Sequence, residues 1–257
     1  MVSDEVHLMG RTALVVGAAS GIGAAVARGL AAEGARVFCA DLDLDGARAV
    51  ASGLPGASAL ALDVREEASW VASFDAVLDA AGKLDVFVNA VGISSGSPLA
   101  ETAFAEWRRI LSVNLDGAFL GTKHALAAMK AGAIVHVGSA SGTQAAAGAA
   151  AYSASKAGLA MLVKAAAKEC RAAGRPIRVN LVSPGGVKTP LWRSMPFFRE
   201  LVEKTGSEEG AFAAMGAAGG GTFAEPEEIA RVVCFLASDA ATRVTGVDLL
   251  ADDGYVL

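Results

Sequence analysis

The sequence predicts an α/β protein with a doubly wound parallel sheet and helices on both faces. Two observations predict it. Short β-prone runs alternate with longer alanine-rich segments along the 257 residues, and such alternation builds parallel sheets through crossover helices. The runs themselves, such as ALVV at 13–16 and VFCA at 37–40, are apolar throughout, as strands are when both sheet faces are covered.

Taken in order, the first strand is Thr12–Val16. It runs into Gly17-Ala18-Ala19-Ser20-Gly21-Ile22-Gly23 and then a helix over Ala24–Ala32. Glycines at this turn permit positive φ and close approach of a ligand. The helix start behind them offers free N–H groups and partial positive charge to a pyrophosphate. The second strand, Arg36–Ala40, ends at Asp41. An acid there accepts hydrogen bonds from an adenosine ribose diol and repels a 2′-phosphate. Ala18 and Ala19 offer such a phosphate no cation, so the pair of features predicts NAD. For Asp41 alone the competing reading is a helix cap.

The third strand is Ala59–Leu62. A helix over Ser69–Ala81 follows, with Trp70, Phe74, Val77, Leu78 and Ala81 at helical spacing. Leu84–Val88, Ile134–Val137, Ile177–Leu181 and Val247–Leu250 complete a seven-stranded set. The helices Glu101–Ala131 and Ala151–Ala173 lie among them. Gly185 to Thr222 breaks the alternation: it has no clear strand, carries Trp192, Met195, Phe197, Phe198, Phe212 and Met215, and ends in Gly219-Gly220-Gly221. A long irregular insertion of this kind reads as a lid or pocket wall, or else as a subunit contact or surface helix pair. With no linker and no repeat, residues 1–257 read as one domain.

Composition narrows the function. The chain is 53% hydrophobic with a net charge of −5, which excludes a disordered chain and gives no basic footprint for nucleic acid. No apolar run is long enough to span a membrane. MVSDEVHLMGR at the start has no apolar signal core. Cys39, Cys170 and Cys234 lack metal spacing and read as reduced, buried thiols; together these features predict a cytoplasmic protein. His7, His124 and His136 form no ligand cluster, so no metal is expected. His136 alternates with Val135 and Val137 on a strand and reads as structural.

Tyr152 and Lys156 stand one helical turn apart in AAYSASKAG. A free phenol has a pKa of about 10 and is a poor base at neutral pH. A cation on the same helix face favours the phenolate. A drop of about three units, some 4 kcal/mol, would make Tyr152 a usable general acid/base.

These residues together resemble the short-chain dehydrogenase/reductases, over nearly the whole chain. Gly17–Gly23 resembles their T-G-x-x-x-G-I-G turn, with Val16 where Thr is usual. Asp63-Val64 resembles the pair that contacts adenine. Asn89-Ala90-Val91-Gly92 resembles N-N-A-G with its second Asn replaced. Asn114 falls at the family's helix asparagine. Ser139 precedes Tyr152 at the spacing of the family's serine, and Tyr152-Ser-Ala-Ser-Lys156 matches Y-x-x-x-K. Pro184-Gly185-Gly186-Val187-Lys188-Thr189 resembles the nicotinamide segment, and Ala251-Asp252-Asp253-Gly254 resembles V-D-G-G with Asp253 in place of a glycine.

The resemblance implies a Rossmann domain and hydride transfer between NAD and a secondary alcohol or ketone. Tyr152 would exchange the hydroxyl proton, Lys156 would tune it and hold the nicotinamide ribose, and Ser139 would hold the substrate oxygen. Asn114 would support a water chain from Lys156. Cofactor contacts are expected from Gly17, Ser20, Gly21, Ile22, Gly23, Asp41, Leu42, Asp63, Val64, Asn89, Ala90, Gly92, Tyr152, Lys156, Pro184, Gly185, Val187 and Thr189. By neighbourhood, Ile93, Ser94, Ser141, Gln144, Gly186, Trp192, Met195 and Phe198 are expected to face the substrate. None is charged, so the substrate is expected to be neutral and largely apolar, such as a cyclic or aromatic alcohol or ketone, unless Lys188 or Arg193 turns inward. The rival readings are a 3-oxoacyl-thioester reductase and an NAD-binding regulator without catalysis. Relatives are commonly tetramers, so a homo-oligomer is expected.

Overall fold

The computed structural model describes residues 8–219 and 221–257; His7 and Gly220 lie outside them. Seven strands form one sheet: β1 (Thr12–Val16), β2 (Arg36–Asp41), β3 (Ser58–Ala61), β4 (Val86–Asn89), β5 (Gly132–Val137), β6 (Ile177–Pro184) and β7 (Asp248–Ala251). Their order is β3-β2-β1-β4-β5-β6-β7, and every neighbouring pair is parallel. The chain moves outward from β1 to β3, then returns to place β4 on the other side of β1. Loops leaving the carboxyl ends of β1 and β4 therefore part from each other, which opens the crevice where ligands bind in such sheets.

The strand bounds differ from the sequence reading by a residue or two. At β4, Leu84 and Asp85 precede the ladder, which begins where Val86 pairs with Ala13. Asp85 instead uses its carboxylate to accept from the Thr12 backbone N–H at 2.8 Å.

Two apolar layers cover the sheet. On one face pack α1 (Gly21–Ala32), α2 (Leu44–Ser52) and α9 (Pro226–Ala237), burying Val26, Leu30, Ile229 and Val233 against Val15, Val37 and Val135. On the other lie α3 (Glu67–Ala81), α5 (Gly117–Ala128) and α6 (Ala150–Ala172). Trp70 sits fully buried there, edge-on to Phe87, with its indole N–H donating to the Val64 carbonyl at 2.9 Å. That bond lets a polar ring edge be buried without the penalty of an unmade partner.

The expected helix over Glu101–Ala131 is α4 (Phe104–Leu111), a π turn (Ser112–Asp116) and α5 in unbroken succession. The segment 185–222 is ordered into a 3₁₀ turn (Pro190–Ser194), α7 (Pro196–Thr205) and α8 (Glu208–Gly219). These helices close over a small core of their own, made of Met195, Phe198, Ala211 and Phe212.

Candidate active site

The glycine-rich turn is shaped by contacts that leave no room for side chains. Gly17 has φ +83°, and a Cβ on it would lie 3.0 Å from the Ala90 carbonyl carbon across the crevice. A Cβ on Gly23 would lie 1.9 Å from the Gly17 carbonyl oxygen. Only glycine lets α1 start this close behind the turn, with its first N–H groups facing the crevice. Asp41, at the end of β2, accepts from the Ala19 N–H and the Asp43 N–H, each at 3.0 Å, which fixes its carboxylate beside the turn. The cradle offers the N–H donors that a dinucleotide pyrophosphate requires, and the acid the acceptor that a ribose diol requires. Asp63 is engaged by the guanidinium of Arg65, which holds its carboxyl below the usual range.

At the other end of the crevice, α6 presents Tyr152 and Lys156. Lys156 is buried, and its Nζ donates to the Val137 carbonyl at 2.9 Å and sits 5.7 Å from the Tyr152 ring centre. A Cβ on Gly92 would come within 3.2 Å of that Nζ, so the glycine makes the room the ammonium occupies. Burial pulls the Lys156 pKa down to about 8. The Tyr152 phenol departs from the sequence expectation: burial raises its pKa, and a hydrogen bond with Ser139 acts in the opposite direction. In this geometry desolvation outweighs the expected lowering. Ser139 lies just past β5 and also accepts from the Ser141 N–H at 3.1 Å.

Asn114 stands behind the cavity, inside the π turn. Its Nδ2 donates to the Ile93 carbonyl at 2.9 Å and to Ser155 Oγ at 3.0 Å, while its Oδ1 accepts from the Ile93 N–H at 2.9 Å. Ser155 in turn donates to the Tyr152 carbonyl at 2.7 Å. A polar chain thus ties the loop after β4 to the helix turn that carries the tyrosine. Ser155 was within reach of sequence reasoning, as the second serine of the Y-x-x-x-K stretch.

One cavity of about 780 Å³ joins both ends. It brings together Gly17, Ser20, Gly21, Ile22, Gly23, Asp41, Leu42, Asp63 and Val64 with Ala90, Gly92, Ser139, Tyr152 and Lys156. Pro184, Gly185, Gly186, Val187 and Thr189 line it too, as do Ile93, Ser94, Ser141, Trp192 and Met195. Besides Asn114, three expected residues stand elsewhere. Asn89 is buried beside the cavity and accepts from the Val91 N–H at 3.1 Å. Gln144 is exposed and off the lining. Phe198 is turned into the small core under α7 and α8, 4.9 Å from the Phe212 ring. Its place on the wall is taken by its neighbour Phe197, an aromatic of the segment read as a pocket wall, with Phe223 and Tyr255, whose place there sequence reading did not foresee. Lys188 and Arg193 turn away: Lys188 donates to Glu209 and Glu225, and Arg193 to Glu208. Among the described residues no cluster of metal-ligating side chains occurs.

The chain is similar to known proteins over nearly its whole length. The profile of a family described as enoyl-(acyl carrier protein) reductase matches residues 17–256. A cis-4-hydroxycyclohexanecarboxylate dehydrogenase of Sinomonas cyclohexanicum is 43% identical, covering 95% of this chain and 96% of that enzyme. A D-threitol dehydrogenase of Mycolicibacterium smegmatis is 38% identical over 100% of this chain and 96% of that one. Among solved structures, a 3-ketoacyl-(acyl-carrier-protein) reductase from Brucella melitensis, complexed with NADH, superposes with a TM-score of 0.85 at 30% identity, covering 97% of this chain and 100% of that one. The chain belongs to the short-chain dehydrogenase/reductases and is a nicotinamide-dependent oxidoreductase acting on CH–OH groups.

Proposed function

We propose that the protein uses NAD to oxidise a neutral, largely apolar secondary alcohol, with ring-shaped alcohols as its natural class. The observation that carries the reading is the meeting of Ser139, Tyr152 and Lys156 on one cavity whose other end holds the glycine cradle and Asp41. Bound nicotinamide supplies the hydride acceptor. Tyr152 takes the hydroxyl proton, and Ser139 holds the substrate oxygen where charge develops, the place at which a fixed donor helps most. Lys156 keeps a positive charge beside the phenol and orients the cofactor's ribose. Asn114 holds the loop and helix that set these distances.

The choice of NAD rests on Asp41, whose charge opposes a 2′-phosphate, and on Ala18 and Ala19, which bring no cation. The neutral substrate rests on the paired state of Lys188 and Arg193. The relatives named for a hydroxycyclohexanecarboxylate and for a polyol lend support to a secondary alcohol. Exposed Phe119 on α5 and Met161 on α6 support assembly into a homo-oligomer, a tetramer as in relatives. The three buried free cysteines suit a reducing cytoplasm, and no helix among the described residues is long and apolar enough to cross a membrane.

The test is formation of reduced nicotinamide across cyclic, aromatic, acyclic and steroid secondary alcohols, with NAD and NADP in parallel. Turnover of uncharged alcohols with NAD, at least tenfold above NADP, is expected. Activity confined to NADPH and 3-oxoacyl thioesters would replace this reading with the thioester reductase.

A further inference from the structure

The C-terminal turn beyond β7 is built to hold one side chain at the cavity. Asp252 accepts from the Gly254 N–H at 3.1 Å and the Val256 N–H at 3.2 Å, and its own carbonyl accepts from the Tyr255 N–H at 3.0 Å. Asp253 takes a left-handed conformation, φ +53°, to make the bend. The turn packs on the segment after β6: a Cβ on Gly185 would lie 3.1 Å from the Asp252 Cα. This places Tyr255 in the cavity wall, half exposed, with no hydrogen-bond partner for its hydroxyl among the described residues.

The surrounding wall is apolar. Trp192, Phe197 and Phe223 form it, with Trp192 edge-on to both other rings. The Trp192 indole N–H is already taken by the Val187 carbonyl at 2.8 Å, so this wall gives a ligand no donor. Charge follows the same pattern. Asp41, Asp63 and Arg65 sit by the β2 and β3 ends, and Arg109 on α4 is forked onto Glu106. Apart from Lys156, the charged lining residue left is Asp252. A carboxylate at the far end of a substrate would meet that negative charge, while the guanidiniums that line the cavity, Arg65 and Arg109, are already paired with Asp63 and Glu106, an arrangement that disfavours it.

We infer that Tyr255 is a specificity-determining residue, and that the substrate is a ring alcohol bearing an uncharged hydrogen-bonding group opposite its reacting hydroxyl. An ester, an amide or a second hydroxyl fits; a free carboxylate does not. A phenol can donate to or accept from such a group, and losing one neutral hydrogen bond costs about 0.5–1.5 kcal/mol, roughly two- to tenfold in kcat/KM. This inference rests on the alcohol dehydrogenase reading above.

The experiment measures kcat and KM with NAD for cyclohexanol and for 4-hydroxycyclohexane carboxylate, methyl ester and primary amide, in the wild type, Tyr255→Phe and Tyr255→Ala. The ester and amide should exceed the carboxylate by about tenfold or more, as expected where a site disfavours a charge it cannot pair. Tyr255→Phe should raise KM for ester and amide roughly two- to tenfold and leave their kcat and all cyclohexanol constants within about twofold. Preference for the carboxylate, or an equal effect of Tyr255→Phe on every alcohol, would overturn the inference. Cyclohexanol separates the two levels: if it is oxidised and Tyr255→Phe does not discriminate, the inference falls alone. If none of the four is oxidised, the dehydrogenase reading falls and the inference with it.

Discussion

At Asp41 one carboxylate both ties the glycine-rich turn to β2 and presents charge to the glycine-lined end of the cavity. Its proposed role could be read from the sequence because an acid at the end of a second strand, beside a glycine cradle, suits a ribose diol. Asp41→Ala should lower kcat/KM for NAD by roughly ten- to a hundredfold, the worth of a charged hydrogen-bonding partner, and narrow the gap to NADP; steady-state kinetics with both cofactors reads it. His136 shows what one sequence cannot reveal. It reads as structural by alternation, but its partners come from across the fold. Thr122 donates to the Ala118 carbonyl at 2.7 Å and so accepts from His136 Nε2 at 3.0 Å. The other ring nitrogen has no partner among the described residues. Burial, with Lys156 nearby, drives the His136 pKa down to about 3. The unfolded chain therefore binds a proton between about pH 6.5 and pH 3 that the folded chain refuses, and stability falls as pH falls through that window. The full loss is on the order of 5 kcal/mol. His136→Gln should flatten the slope, measured as urea unfolding between neutral pH and pH 4; an unchanged slope would place the acid sensitivity elsewhere.

At the scale of elements, the helix that carries Asn114 was expected in one piece, and the π turn within it was not. Such a turn leaves no mark in hydrophobic spacing; it accompanies functional sites and here seats Asn114 to hold Ile93 and Ser155 at once. Asn114→Ala should lower kcat more than it raises KM, because it loosens groups that position Tyr152. The segment after β6 was readable in part. Pro196 at a helix start and Gly206 in the left-handed region, φ +78°, at its end bracket α7, and Phe198, Leu201 and Val202 fall at helical spacing. What spacing could not say is which of two adjacent phenylalanines faces the cavity. Phe198 went inward, into a core the segment makes for itself. Phe198→Ala should therefore remove about 3–5 kcal/mol of packing from this local unit. Proteolysis within 196–219 should speed up, and KM should rise more than kcat falls.

Over the whole molecule, the strand order and the crevice follow from alternation and right-handed crossovers, which are periodic features that a sequence displays. The cavity end proposed to hold the cofactor could be read for the same reason: its residues cluster in short segments at strand ends, each with a fixed spacing. The substrate end was less so. Tyr255 reaches it from far along the chain through packing of the last turn on the segment after β6, and Phe223 is held there by the bridge between Val187 and Ala224. The pairing of Lys188 and Arg193 with glutamates likewise depends on where α8 lands.

The most direct measurement compares Tyr152→Phe with the wild type in two respects, turnover of a cyclic alcohol with NAD and NAD affinity by calorimetry. Removing one oxygen from the proton-accepting group should cost at least about a hundredfold in kcat, the lower end for positioned acid–base groups, with the NAD dissociation constant within about threefold. A variant that keeps turnover within tenfold of the wild type would show that Tyr152 is not the proton acceptor and would contradict the account.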